Sequence, residues 1–263
     1  MTRFLRPLAF ISGLGSLLLA IGFGFKIPWV LAICPWNLDY SPLSATFIAS
    51  ILIAIALPTL WIAWRGEIAS AFGGAINLCV TFGGIGIFCL QLYSANTSRQ
   101  AVLMFGLFCL ASVLVLIGVA WQTWGLAYQD ARPTPRLVRF SFAFFAIALF
   151  LVGGALILKT NNIFPWNLSE ELRVLYGWIF LGAMCYLIYA LLTPKWGNAQ
   201  GQLLGFLGYD LVLIVPFIQH FSRVIPEQRL SLTIYVGVLI YSGLIASYYL
   251  FIHPQTRLWS LPH

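Results

Sequence analysis

Read by polarity, the chain breaks into long uncharged runs separated by short clusters of charge. The runs cover residues 7–25, 40–64, 68–98, 100–129, 140–158, 174–194 and 230–256, and an eighth, 196–222, is interrupted once, by Asp210. A helix that crosses a bilayer needs about 20 mostly apolar residues, so each run supplies one span. The runs are apolar on every face, which excludes the alternating strands of a membrane β-barrel. The pattern predicts eight transmembrane helices with cores at 7–25, 44–64, 70–93, 101–124, 139–158, 173–193, 202–221 and 231–251. The first run follows Arg3 and Arg6, as a signal peptide would. Its 19 uncharged residues exceed the roughly 7–15 of a signal's apolar core, and it reads as a retained first helix.

Composition agrees. Of 263 residues, 61% are hydrophobic and 8% charged, against roughly 45–50% and 25% in soluble domains. A cytosolic globular enzyme, a disordered chain and a disulfide-rich module are excluded, and an integral membrane protein remains. With the N-terminus in the cytoplasm, Arg3, Arg6, Arg65, Arg132, Arg136, Arg139, Lys195 and Arg257 fall inside, eight against six outside (Lys26, Arg99, Lys159, Arg173, Arg223 and Arg229). Counting acids, the inside carries +6 (less Glu67 and Asp130) and the outside +2 (less Asp39, Glu170, Glu171 and Glu227). The bias places both termini in the cytoplasm. Attraction to anionic lipid explains the basic face without a nucleic-acid partner. Of the five cysteines, Cys34, Cys79, Cys89, Cys109 and Cys185, four lie within spans and none forms a CxxC pair. They read as small apolar residues, and neither a disulfide nor a metal site is expected.

The block Pro35-Trp36-Asn37-Leu38 recurs as Pro165-Trp166-Asn167-Leu168, and Arg6 as Arg136, at the same offset of 130 residues. Each block follows the first helix of a four-helix set, so the chain reads as a duplication, 1–130 and 131–263. Four spans per copy is an even number. The copies are therefore parallel, related by an axis along the membrane normal, and both blocks lie on the outer face. Proline ends the incoming helix, and tryptophan favours the headgroup level with its ring half buried. Ser41-Pro42 and Ser169-Glu170-Glu171 then read as helix starts. The linker 129–136, with Pro133 and Pro135, reads as a solvated connector.

The second copy continues from Pro165-Trp166-x-Leu168 to Arg173 and then Gly177-Trp178. In this it resembles a recurring block in uncharacterised bacterial multi-pass membrane proteins, with Pro-Trp-x-Leu, an arginine and a Gly-Trp pair one helical turn later. The first copy departs from the pattern: its loop is longer, Ala45 or Thr46 stands for the arginine, and no tryptophan lies near Ser50. The resemblance covers about a quarter of the chain. It implies an architecture and a bacterial inner or internal membrane, but no chemistry.

Few residues offer chemistry. Asp210 lies about 12 Å into its helix, near mid-membrane, where an unpaired carboxylate costs several kcal/mol. Gly201, Gly205 and Gly208 on the same helix permit close helix approach. Asn77, Thr81 and Gln91 share one helical face that should look toward other helices, and Asn77 is the expected partner of Asp210. These four form a candidate intramembrane polar site. His220 is the candidate for one pigment or haem ligand. Trp121, Trp124, Trp196 and Trp259, with Trp29, Trp36 and Trp166, read as interfacial belts. No zinc-protease motif, catalytic triad spacing or phosphate-binding glycine loop is present. Three function classes follow, in order: an accessory or scaffolding subunit of a membrane complex, a small-solute or proton transporter using Asp210 and Asn77, and a binder of lipid, quinone or pigment.

Overall fold

The computed structural model describes residues 4–36, 38 and 42–259; Arg3, Asn37, Asp39, Ser41 and His263 lie outside the described residues. Eight helices among them are long and apolar enough to cross a membrane. They are α1 (Leu5–Gly24), α3 (Pro42–Arg65), α4 (Ala71–Ala95), α5 (Gln100–Thr123), α6 (Arg136–Ile157), α7 (Glu170–Leu192), α8 (Trp196–His220) and α9 (Pro226–Ser247). One turn, α2 (Pro28–Leu31), precedes the first Pro-Trp block, a 3-10 turn (Ile68–Ser70) leads into α4, and a π-helical turn (Tyr248–Ile252) extends α9.

Most span ends fall within three residues of the polarity pattern. Two starts do not, and α9 ends four residues early, at Ser247, where its π-helical turn takes over. α8 begins at Trp196 rather than 202, because Asn198, Gln200 and Gln202 are buried in protein and not excluded as loop. α9 begins at Pro226 rather than 231, with proline in its first turn, where the missing N–H costs nothing. Ser169 caps α7 as its sequence suggests, its hydroxyl accepting from the Leu172 N–H at 3.3 Å.

α1 packs along α3, α3 along α8 and α8 along α9; α6 packs along α7, α7 along α4 and α4 along α5. These pairings form two rows of four, which meet more sparingly through α3 with α4 and α7 with α8. Each row thus takes one helix pair from each half of the chain. The closest crossings rely on glycine. A Cβ on Gly182 of α7 would lie 2.5 Å from the Asn77 carbonyl of α4, and one on Gly205 of α8 would lie 3.0 Å from the Ala54 carbonyl of α3. Such small residues let helix backbones meet in a bilayer.

Aromatic rings fill the centre of the bundle on the face of the Pro-Trp blocks. Phe47, fully buried, touches Phe164, Trp166, Tyr176, Phe180 and Tyr209, with ring centroids 4.7–6.1 Å apart. Most of these contacts are edge-on or tilted, as ring quadrupoles prefer.

The opposite face is closed by the linker, which is a solvated connector only in part: Gln129, Ala131, Pro133 and Arg136 are exposed and the residues between them are not. Asp130 and Thr134 are buried. Glu67, only 3% exposed, accepts the Gln129 and Asp130 N–H groups, both at 3.0 Å. The Asp130 carbonyl accepts from Gly197, and Arg132 pairs with Asp130 while donating to the Gln255 carbonyl. Tyr128 is hydrogen-bonded to Tyr189 at 2.9 Å; burial first, and then that bond, push its phenol well above its usual range, so it stays neutral. One carboxyl and one short segment thus hold the ends of α3, α4 and α8 together.

Candidate functional site

Between the rows, on the linker side of the aromatic plug, lies a cavity of about 450 Å³. All eight spans line it, from Ala9 of α1 and Val115 of α5 to Ala148 of α6 and Val238 of α9. Its walls are almost wholly apolar. Asp210 is the one Asp, Glu, Lys, Arg or His side chain among its lining residues, and Asn77, Thr81 and Gln202 are the main uncharged polar groups.

Asp210 is 5% exposed. It lies against α9, with Ser242 beside it and its Oδ2 3.5 Å from where a Gly243 side chain would begin. That Oδ2 has no hydrogen-bond partner, and neither has the Oε1 of buried Gln202. Asn77 shares the cavity but bonds elsewhere. Its Oδ1 accepts from Thr81 at 3.3 Å, and Thr81 also faces the Trp178 carbonyl of α7. Asn77 and Asp210 thus line one cavity and lean on different helices. Gln91 does not join them: it is exposed, one turn before the end of α4, where the stripe has run past its neighbours. Gly205 and Gly208 face α3, as their spacing suggests, and Gly201 lies between Tyr186 of α7 and Pro58 of α3.

The block residues are brought together on the opposite face, though not as lipid anchors. Trp36 and Trp166 are buried, because each indole N–H finds a partner inside the protein. Trp36 Nε1 donates to Glu171 at the start of α7 (2.6 Å), and Trp166 Nε1 donates to Ser44 at the start of α3 (3.3 Å). Glu171 also holds Arg99 through two bonds of 2.7 Å. Leu38 and Leu168 enter the same apolar core. The Pro165 carbonyl lies 2.9 Å from His220 Nε2, and Asn167 accepts from Gln228. Arg173 donates to the Lys159 and Leu168 carbonyls and to Asn161, which clamps the loop before α7. Gly177 lets α7 approach α6, with the Gly153 carbonyl 2.8 Å from an added Cβ, and Trp178 lies over Gly84 of α4. A smaller pocket of about 300 Å³ opens here beside Asn167, Arg173 and Gln228.

His220 therefore bonds to backbone and does not line the large cavity. Trp196, placed by sequence in an interfacial belt, is fully buried, its indole donating to the Thr256 carbonyl at 3.0 Å. Trp29, Trp64, Trp121, Trp124 and Trp259 are the exposed ones that fit a belt. All five cysteines are free thiols, and no group of three His, Cys, Asp or Glu side chains that could hold a metal exists among the described residues.

The Trp36–Glu171–Arg99 cluster yields a direct expectation. Glu171→Ala removes the acceptor of three hydrogen bonds, and we expect a loss of about 1–2 kcal/mol, reduced from the value for buried charged bonds because the pair is partly exposed. Thermal unfolding of Glu171→Ala, Trp36→Phe and the double variant should show coupling between the two; additive losses would mean that the indole bond contributes nothing.

Compared with models of protein families, with curated proteins and with solved structures, the chain matches none.

Proposed function

We propose that this polytopic membrane protein binds an elongated apolar molecule, a lipid or isoprenoid chain such as that of a quinone, in the slot between its two helix rows. The observation that carries this reading is the cavity of about 450 Å³ with apolar walls, inside the roughly 300–1,000 Å³ range of small-molecule sites. A solute path is less well supported, because a conduit for ions or polar solutes calls for polar lining and the aromatic plug fills one end. A subunit role has no particular surface in its favour.

The architecture is best read as two parallel copies of one four-helix unit. Three reciprocal pairs support this. Trp36 docks on the second copy and Trp166 on the first, at neighbouring positions of equivalent helices. The crossing of Ala54 with Gly205 mirrors that of Gly182 with Asn77, at one offset of 128 residues (182 minus 54, 205 minus 77). Gly73 against Tyr186 mirrors Gly201 against Pro58 at the same offset. The excess of basic residues on the linker face supports a cytoplasmic orientation for it and for both termini.

Gly74 offers the test. It lines the slot, and an added Cβ would meet nothing within 4 Å. Gly74→Leu should fill the slot and gain up to ~1 kcal/mol of helix propensity. Mass spectrometry of the organic extract from purified protein should find a lipophile bound to the native chain and at least ~10-fold less on Gly74→Leu, with thermal stability unchanged or higher. Equal amounts on both proteins would refute the proposal.

A further inference from the structure

We infer that the slot selects an apolar molecule whose polar end is a hydroxyl group, held by Asp210; this rests on the slot reading above. Asp210 lines the slot, its buried Oδ2 lies against Gly243 of α9 without a hydrogen-bond partner, the neighbouring Ser242 hydroxyl donates to the Val238 carbonyl at 2.7 Å, and no basic side chain lines the cavity beside it. A buried polar oxygen without a partner is costly and is rarely left so in a folded protein. A donor carried by an occupant of the slot would satisfy this carboxyl.

The chemical class follows from what each candidate group can do. A hydroxyl donates to an ionised carboxylate, and it both donates to and accepts from a protonated carboxyl, so it satisfies Asp210 in either state. A carbonyl can serve only the protonated form, and an ammonium mainly the ionised one. Position agrees. Asp210 sits where the slot meets the plug, with Tyr209 and Tyr235 among the walls there. A molecule entering with its hydroxyl foremost stops at that end, and its hydrocarbon tail lies along the apolar walls toward the linker face. Gln202 Oε1, also unpartnered, stands eight residues earlier on α8, about 12 Å nearer that face.

Farnesol, farnesene and farnesylamine are the probes, titrated into purified full-length protein in one detergent, so that partition into micelles is common to all variants. For the native chain we expect farnesol to bind at least ~10-fold more tightly than farnesene. Asp210→Leu should erase that ratio while leaving farnesene affinity within about two-fold, since an apolar isostere removes only the acceptor. Asp210→Ala replaces it should the leucine variant not fold. The same farnesol-to-farnesene ratio in the native and substituted proteins overturns the assignment, as does farnesylamine binding most tightly with that preference lost in Asp210→Asn. Those results leave the slot standing if Gly74→Leu still blocks all three probes. Binding indifferent to Gly74→Leu removes the slot itself, and this inference with it.

Discussion

Gly182→Val is expected to prevent assembly of α4 on α7. The added side chain would meet the Thr81 hydroxyl, the Asn77 carbonyl at 2.5 Å and the Asn77 Oδ1 at 2.6 Å. A backbone carbonyl inside a helix cannot swing away, so the two helices must separate. Overpacking in a filled interior costs about 1–3 kcal/mol where neighbours can move, and more is expected here, at least ~4 kcal/mol. Gly205→Val, with the Ala54 carbonyl at 3.0 Å, should follow at a smaller cost. Gly154→Ala has open space around its Cβ and should be neutral or gain up to ~1 kcal/mol from helix propensity. Fluorescence-detected size exclusion after a heating series measures all three. A Gly182→Val protein as heat-resistant as the native one would show that α4 and α7 do not meet as described.

Glu67→Ala should have the second large effect. Its carboxyl group accepts two buried N–H groups from the linker, and each donor left unsatisfied costs about 1–3 kcal/mol. The expected loss is about 3–5 kcal/mol. Glu67→Gln keeps one acceptor oxygen and should lose about half as much. Limited proteolysis gives an independent readout, because a released linker at 125–135 becomes a cleavage site. Native resistance in Glu67→Ala would show that the backbone contacts of Trp196, Gly197 and Thr134 hold the linker without it.

The eight spans were legible because bilayer thickness sets a length that charge-free runs reveal directly. Asp210 was legible as an anomaly of polarity. The recurrence of Pro-Trp-Asn-Leu was legible as a four-residue identity, but not the way each block's tryptophan docks on the other half of the chain. The partners of Asp210 were hidden for a related reason: a stripe on one helix says which face is polar, not which neighbour it meets. Asn77 pointed to Thr81 and α7, and Asp210 to α9. Trp196 was misplaced because polarity reads a tryptophan beside a loop as interfacial, and the burial of the loop acid Glu67 left no mark in the pattern. Their burial depends on backbone donors and acceptors more than 50 residues away. The slot had no signature at all, since a wall of leucine and alanine reads the same whether it faces lipid, another helix or a cavity.

The interleaved rows also set the order of biogenesis. A ribosome delivers α1 to α5 to the bilayer before α6 exists, and at that stage α3 has packed along α1 and α4 along α5, with only a sparing contact between α3 and α4. Their remaining faces border acyl chains until α7 and α8 arrive. The two early hairpins therefore hold each other only loosely until α8 lies along α3 and α7 along α4. The early half waits loosely joined, and tertiary structure closes late, after insertion of the last helices.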